Sequence, residues 1–242
     1  MQALNDHIAK DGFRLRGISA SRVDGFSDVV FGFALTLLVV SLEVPHTYAE
    51  FHAALLQFFP FSICFLFLIL IWWTHYRFFR RFGLHDSATI VINCILLFAV
   101  LFYVYPLKFL FTIATLDVAP DVFTAPSQMR ELMIVYGVGF TTIYLCFAAL
   151  YANAWRQRES LGLNPLERVL TASSFWHYIG DGSVGILCCL LAALLPLEHA
   201  SNAGWGFLVL FPWGRIHGLG TRRYLKRARA QMAQEEHSSL SA

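Results

Sequence analysis

Apolar residues run along this chain in long stretches between short polar breaks, without the two-residue alternation of a half-buried strand. A helix needs about 20 mostly apolar residues to cross a bilayer. Five stretches reach that scale, at roughly 26–44, 53–75, 88–113, 131–155 and 170–195. A sixth, 203–219, is shorter and carries Pro212 and Arg215. The pattern predicts an all-α membrane protein with six transmembrane helices per subunit. It divides the chain into an N-terminal arm (1–21), a six-helix transmembrane domain (22–229) and a disordered polar tail (230–242).

The basic residues give this pattern a direction. Lys10, Arg14, Arg16 and Arg22 precede the first stretch, and Arg77, Arg80 and Arg81 close the second. Arg156, Arg158 and Arg168 join the fourth to the fifth. Arg215, Arg222, Arg223, Lys226, Arg227 and Arg229 lie at or beyond the end of the sixth. Of the 18 Lys and Arg, Lys108 and Arg130 alone are left for the opposite side. Connections rich in Lys and Arg stay cytoplasmic, so both termini are expected in the cytoplasm. The same alternation supports counting 203–219 as a span.

Composition agrees. Of 242 residues, 57% are hydrophobic and 14% charged, against about 25% charged in soluble domains. A net charge of +2 gives no reason to expect a nucleic-acid partner. The first 25 residues lack the apolar centre of a signal peptide. Cys64, Cys94, Cys146, Cys188 and Cys189 all fall in apolar stretches without metal-ligand spacing, so free thiols, no metal and no cofactor are expected. Neither a nucleophile elbow, a zinc-protease motif nor a P-loop is present, and an enzyme is not expected.

Two glycine patterns are set aside. Gly180 to Gly185 reads GDGSVG, yet it lies inside an apolar stretch, not between a strand and a helix, so helix packing through small residues explains it. Tyr136 to Phe140 reads YGVGF, but it opens a full-length span, where a re-entrant carbonyl filter has no place.

The stretch RVDGFSDVVFGFALTLLVV (22–40) carries the most information. Asp24 or Ser27 can cap a helix here, with Asp28 well placed in its first turn. Downstream, Phe33, Thr36, Leu37 and Val40 share one helical face, apolar apart from a single hydroxyl. Such a face either packs on neighbours or lines a narrow, largely hydrophobic pore.

Arg22-x-x-x-Phe26-Ser27-Asp28, followed by an apolar helix with Thr36, resembles the signature of the transmembrane protein 175 potassium-channel family. IWWTHYRFFRR (71–81) is similar to the segment closing that family's second helix, and Asn93 and Pro106 also fit its pattern. The resemblance covers the first three helices. It implies a single-repeat prokaryotic member in the plasma (inner) membrane, a homotetramer with the first helix around a central pore. It implies potassium ions as the permeating species, with modest selectivity over sodium. It assigns Phe33 to the pore constriction, Thr36 to a hydroxyl layer, and Leu37 and Val40 to the lining. Arg22, Phe26, Ser27, Asp28, Trp72 and His75 become a structural network at the cytoplasmic end. Where the family usually has Ile or Leu, this chain has Phe33, which implies a narrower and drier constriction.

Two alternatives stay open. His177 and Asp181 lie four residues apart within the fifth span, where ionisable groups mark ion or proton paths by default. They would serve a proton-coupled secondary transporter. A membrane protein that transports nothing is the other alternative. Lys108 lies near a helix end and can snorkel.

Overall fold

The computed structural model describes residues 8–40, 46–116 and 123–240. Six α-helices follow one another: α1 (Arg22–Val40), α2 (Tyr48–Phe82), α3 (Ser87–Leu116), α4 (Pro126–Arg156), α5 (Pro165–Leu194) and α6 (Leu210–Leu240). A 3-10 helix (Leu197–Val209) joins α5 to α6. Among the described residues α2, α3, α4 and α5 are each long and apolar enough to cross a membrane.

Local chemistry sets the helix ends. Thr47 and Glu50 form a reciprocal capping box at the start of α2, and Asn164 and Glu167 form another at the start of α5. Asp86 caps α3, accepting from the Thr89 hydroxyl at 2.6 Å. Asn153 of α4 donates to the same carboxylate at 3.1 Å, so this cap also ties two helices together. α2 ends on Gly83 at φ 58°, a left-handed position that glycine fills without a Cβ penalty.

α4 and α5 form the most extensive helix pair. Their axes approach closely at Gly137 and Gly185, where an added Cβ on Gly185 would meet the Gly137 carbonyl at 2.7 Å and the Thr141 hydroxyl at 2.4 Å. Small residues therefore serve helix packing here, as expected for Gly180 to Gly185, and Gly137 of the second pattern takes part in the same contact. The Tyr136 hydroxyl donates to the Pro106 carbonyl, giving a partner to a backbone group at the proline of α3. α3 joins this pair to α1 and α2, and α1 packs chiefly on α2 and α3.

The N-terminal arm, described from Ile8, bridges α2 to α5. Phe13 is fully buried against Phe82, with ring centroids 5.3 Å apart. Arg81 pairs with Asp11. Arg14 and Arg16 both reach Glu167, at 2.9 and 2.8 Å. The Gly17 N–H donates to the Arg80 carbonyl at 3.1 Å. A Cβ on Gly17 would sit 2.2 Å from the Phe79 carbonyl oxygen, so the arm can lie there only as glycine.

The chain departs from its expected layout at the C-terminal end. The sixth apolar stretch begins as the 3-10 helix and becomes α-helical only at Leu210. Ser201, Asn202, Gly204 and Gly206 are weak α-formers, which favours the tighter turn. α6 then continues to Leu240, across residues whose composition marked them as a disordered tail. No glycine or proline follows Gly220 to stop it, and Ala, Gln, Met and Glu extend helices readily.

Candidate functional site

α1 has two unlike faces. Ser27, Phe31, Ala34 and Leu38, spaced four, three and four residues apart, are buried against α2 and α3. The opposite face is bare: Phe26 is 58% exposed, Val29 56%, Phe33 63% and Val39 51%. Thr36 is exposed on this face and Leu37 half-buried at its edge. The Val40 side chain lies outside the described residues. A Cβ built on Gly25 or Gly32 would meet nothing within 4 Å.

The buried face is fastened by a polar chain through three helices. The Ser27 hydroxyl donates to the Val23 carbonyl at 2.8 Å, so its oxygen is left to accept. It accepts from the Asn93 amide of α3 at 2.9 Å. That orientation turns the Asn93 carbonyl oxygen toward His75 Nε2 of α2, at 2.8 Å. His75 must then carry its proton on Nε2. Ser27, Asn93 and His75 are all buried, where a satisfied network rigidifies and a broken one is costly. The His75 ring packs between Phe31 and Phe79, with centroids at 5.5 and 4.6 Å.

A second link lies toward the outside. The Trp72 indole donates to Asp28 Oδ1 at 2.8 Å and stacks on Tyr76, with centroids 5.6 Å apart. Of the six residues read as a network, the chain thus brings Ser27 together with His75 through Asn93, and Asp28 together with Trp72. Arg22 and Phe26 stand on the exposed face, and Arg22 makes no hydrogen bond or ion pair among the described residues. Sequence reasoning matched Asn93 to a family pattern but missed its central position. A lone amide in the apolar run VINCILL was the available signal.

His177 and Asp181 do meet, with Nε2 to Oδ2 at 3.5 Å. They sit in the seam between α5 and α6. The His177 ring stacks on His217 at 5.2 Å, and His217 in turn bonds Ser173 at 2.8 Å. Trp213 donates to the His177 carbonyl at 3.3 Å. These partners make the pair part of the α5–α6 packing. At the far end of α3, the Lys108 ammonium lies 3.5 Å from the Leu38 carbonyl, where cations are favoured by the α1 dipole. All five cysteines are free.

Residues 22–103, the segment containing α1, α2 and most of α3, match the family model of the endosomal/lysosomal potassium channel TMEM175. A protein of Marivirga tractuosa named as a potassium channel is 35% identical over 232 residues, covering 88% of this chain and 94% of that protein. The chain belongs to the TMEM175 potassium-channel family. A protein of Chamaesiphon minutus, also named as a potassium channel, is 31% identical over 141 residues, 55% of this chain and 64% of that protein. The crystal structure of a variant of the potassium channel MtTMEM175, bound to a nanobody–MBP fusion, matches with a TM-score of 0.80 at 32% identity. It covers 89% of this chain and 99% of that one. The crystal structure of a lysosomal potassium-selective TMEM175 homolog from Chamaesiphon minutus shares the fold, with a TM-score of 0.53 at 22% identity over 81% and 96% of the two chains. Within TMEM175 terms the chain is a multi-pass membrane protein of a channel family, not an enzyme.

Proposed function

We propose that this chain forms a homotetrameric, potassium-permeable channel whose pore is lined by the bare face of α1. The observation that carries this reading is the split of α1: one face is held by the Ser27–Asn93–His75 chain, and the other is exposed from Phe26 to Val39. A face turned to lipid has no use for Arg22 and Thr36, since charged and polar groups in hydrocarbon are costly. A face turned to a shared, partly wet axis accommodates both. The relatives named as potassium channels supply the ion.

Phe33 is the narrowest level in this reading, and Thr36 lies about 4.5 Å further along the same face. A ring of phenyl groups dewets a pore too narrow for a hydrated ion and closes it without any charge. An apolar constriction returns little of an ion's dehydration cost. Potassium, being larger than sodium, sheds water more easily and is modestly favoured. The anchoring network holds α1 at a fixed rotation, so Phe33 stays aimed at the axis. Both termini lie in the cytoplasm and the membrane is a prokaryotic inner membrane, in keeping with the alternation of basic connections.

Potassium and sodium flux into liposomes containing the purified protein tests this. Phe33→Ala is expected to raise flux and weaken selectivity. Unchanged flux in that variant would remove α1 from the pore. A carrier built on His177 and Asp181 would instead need a proton gradient for any flux. The packing of that pair against His217 and Trp213 supports a structural role.

A further inference from the structure

Arg215 is set within α6 on its outward face, exposed and without a hydrogen bond or ion pair among the described residues. The inward face of α6 is fixed by Trp213, His217 and Thr221, which engage His177 and Ser173 of α5. Arg215 therefore points away from the bundle, at the level of the α5–α6 seam. A guanidinium beside hydrocarbon with no counter-charge is expensive, so it reaches for an anion or for the interface.

A shallow, open groove on the surface of this one helix lies beside it, lined by Gly214, Arg215, Gly218, Leu219 and Arg222. Arg222 is also exposed and stands about 10 Å along the axis from Arg215, toward the basic end of the helix. Between them the floor is bare backbone, since a Cβ on Gly214 or Gly218 would meet nothing within 4 Å. Leu219 gives the groove an apolar flank, 62% exposed. α6 contains no Asp or Glu before Glu235.

We propose that this groove binds an anionic phospholipid of the leaflet on the basic side. Its phosphate sits between Arg215 and Arg222, and an acyl chain lies over Gly218 and Gly214. The charges match a phosphodiester, and the glycine floor with its apolar flank matches a hydrocarbon chain. A carboxylate from a neighbouring subunit is the rival occupant. Among the described residues Asp28 is engaged by Trp72 of α2 and Asp181 by His177 in the α5–α6 seam, and neither bonds Arg215 or Arg222. The inference rests on the membrane reading of α6 and is independent of the pore reading.

The test is thermal unfolding of the purified full chain in neutral detergent, titrated with short-chain phosphatidylglycerol, with short-chain phosphatidylcholine and with inorganic phosphate. Phosphatidylglycerol is expected to raise Tm saturably, the other two not. Arg215→Gln with Arg222→Gln should weaken the response by roughly tenfold or more, the scale of losing charge-assisted hydrogen bonds. Gly218→Leu keeps both charges, fills the groove without a clash and favours helix, so it folds; it too should weaken the response. An equal response in Gly218→Leu, an equal response to phosphatidylcholine, or a response to inorganic phosphate alone would overturn the proposal. Loss of the oligomer in the arginine variant, with the lipid response intact, would assign Arg215 to a neighbouring subunit instead.

Discussion

The Asn93 amide of α3 donates to the Ser27 hydroxyl of α1 at 2.9 Å, in a position sealed from solvent. This contact ties the buried face of α1 to α3, alongside the Asp28–Trp72 link to α2. Asn93→Ala removes the Ser27 donor and leaves the His75 Nε2–H without its acceptor. An unpaired buried group costs about 1–3 kcal/mol, so a Tm several degrees lower is expected. Ser27→Ala and Asn93→Ala together should cost less than the sum of the singles, because they break the same link. Strictly additive losses in a double-mutant cycle would show that the contact carries no coupling.

Much of the fold was legible because lipid demands long apolar helices with internally satisfied backbones. The five long stretches correspond to α1 to α5. The arm was not legible. Its order comes from contacts far apart in sequence, Phe13 on Phe82 and Arg14 and Arg16 on Glu167, and a polar segment carries no local sign of such partners. α2 likewise runs to Phe82, beyond its apolar stretch, because Phe78, Phe79 and Phe82 are buried at its basic end. At the candidate site, helical phase puts Phe33 and Thr36 on one face, and both are exposed there. The residue joining Ser27 to His75 could not be read from phase, since it depends on how three helices pack.

Glu167 is fully buried while Arg14 keeps half of its side chain in contact with solvent. Removing either side of this cluster should therefore not be symmetric. Arg14→Gln with Arg16→Gln strands a buried carboxylate, at a cost of about 3–5 kcal/mol. Glu167→Gln leaves guanidinium groups that water can reach and should cost less. Adding Glu167→Gln to the arginine pair should recover part of the loss. Chemical unfolding with proteolysis of the arm reads this directly, and a Glu167→Gln variant worse than the arginine pair would reverse the assignment.

Asp86 lies between α2 and α3, outside the spans. Burial pushes its carboxyl pKa up, but hydrogen bonds from Thr89, Gln157 and Asn153 outweigh this and hold it at about 2, below the ordinary 3.8. A folded pKa below the unfolded one gives stability that is complete above about pH 4 and lost as pH falls toward 2. Asp86→Asn lacks this titration. The stability gap between the parent and Asp86→Asn should narrow through that window in thermal melts. A gap that stays constant from pH 5 to about pH 2 would mean the cap does not depend on charge.

Thr36 offers the sharpest separation of selectivity from flux. Its hydroxyl donates to the Gly32 carbonyl at 2.9 Å, so the proton is engaged in the helix and the lone pairs face outward. In the proposed tetramer, with this exposed face shared between subunits, those lone pairs form a ring of acceptors next to the Phe33 level. Thr36→Val keeps the side-chain volume and removes every acceptor, while Thr36→Ser keeps the acceptors and trims a methyl group. Neither change breaks a contact to α2 or α3, so both variants should fold like the parent. A weak acceptor layer distinguishes two ions by about 1 kcal/mol, which is a several-fold change in permeability ratio. Reversal potentials under a potassium–sodium gradient should therefore move toward non-selectivity in Thr36→Val and stay near the parent in Thr36→Ser. If the serine variant loses selectivity as fully as the valine variant, the hydroxyl is not the discriminating group and pore width at Phe33 must carry the preference alone.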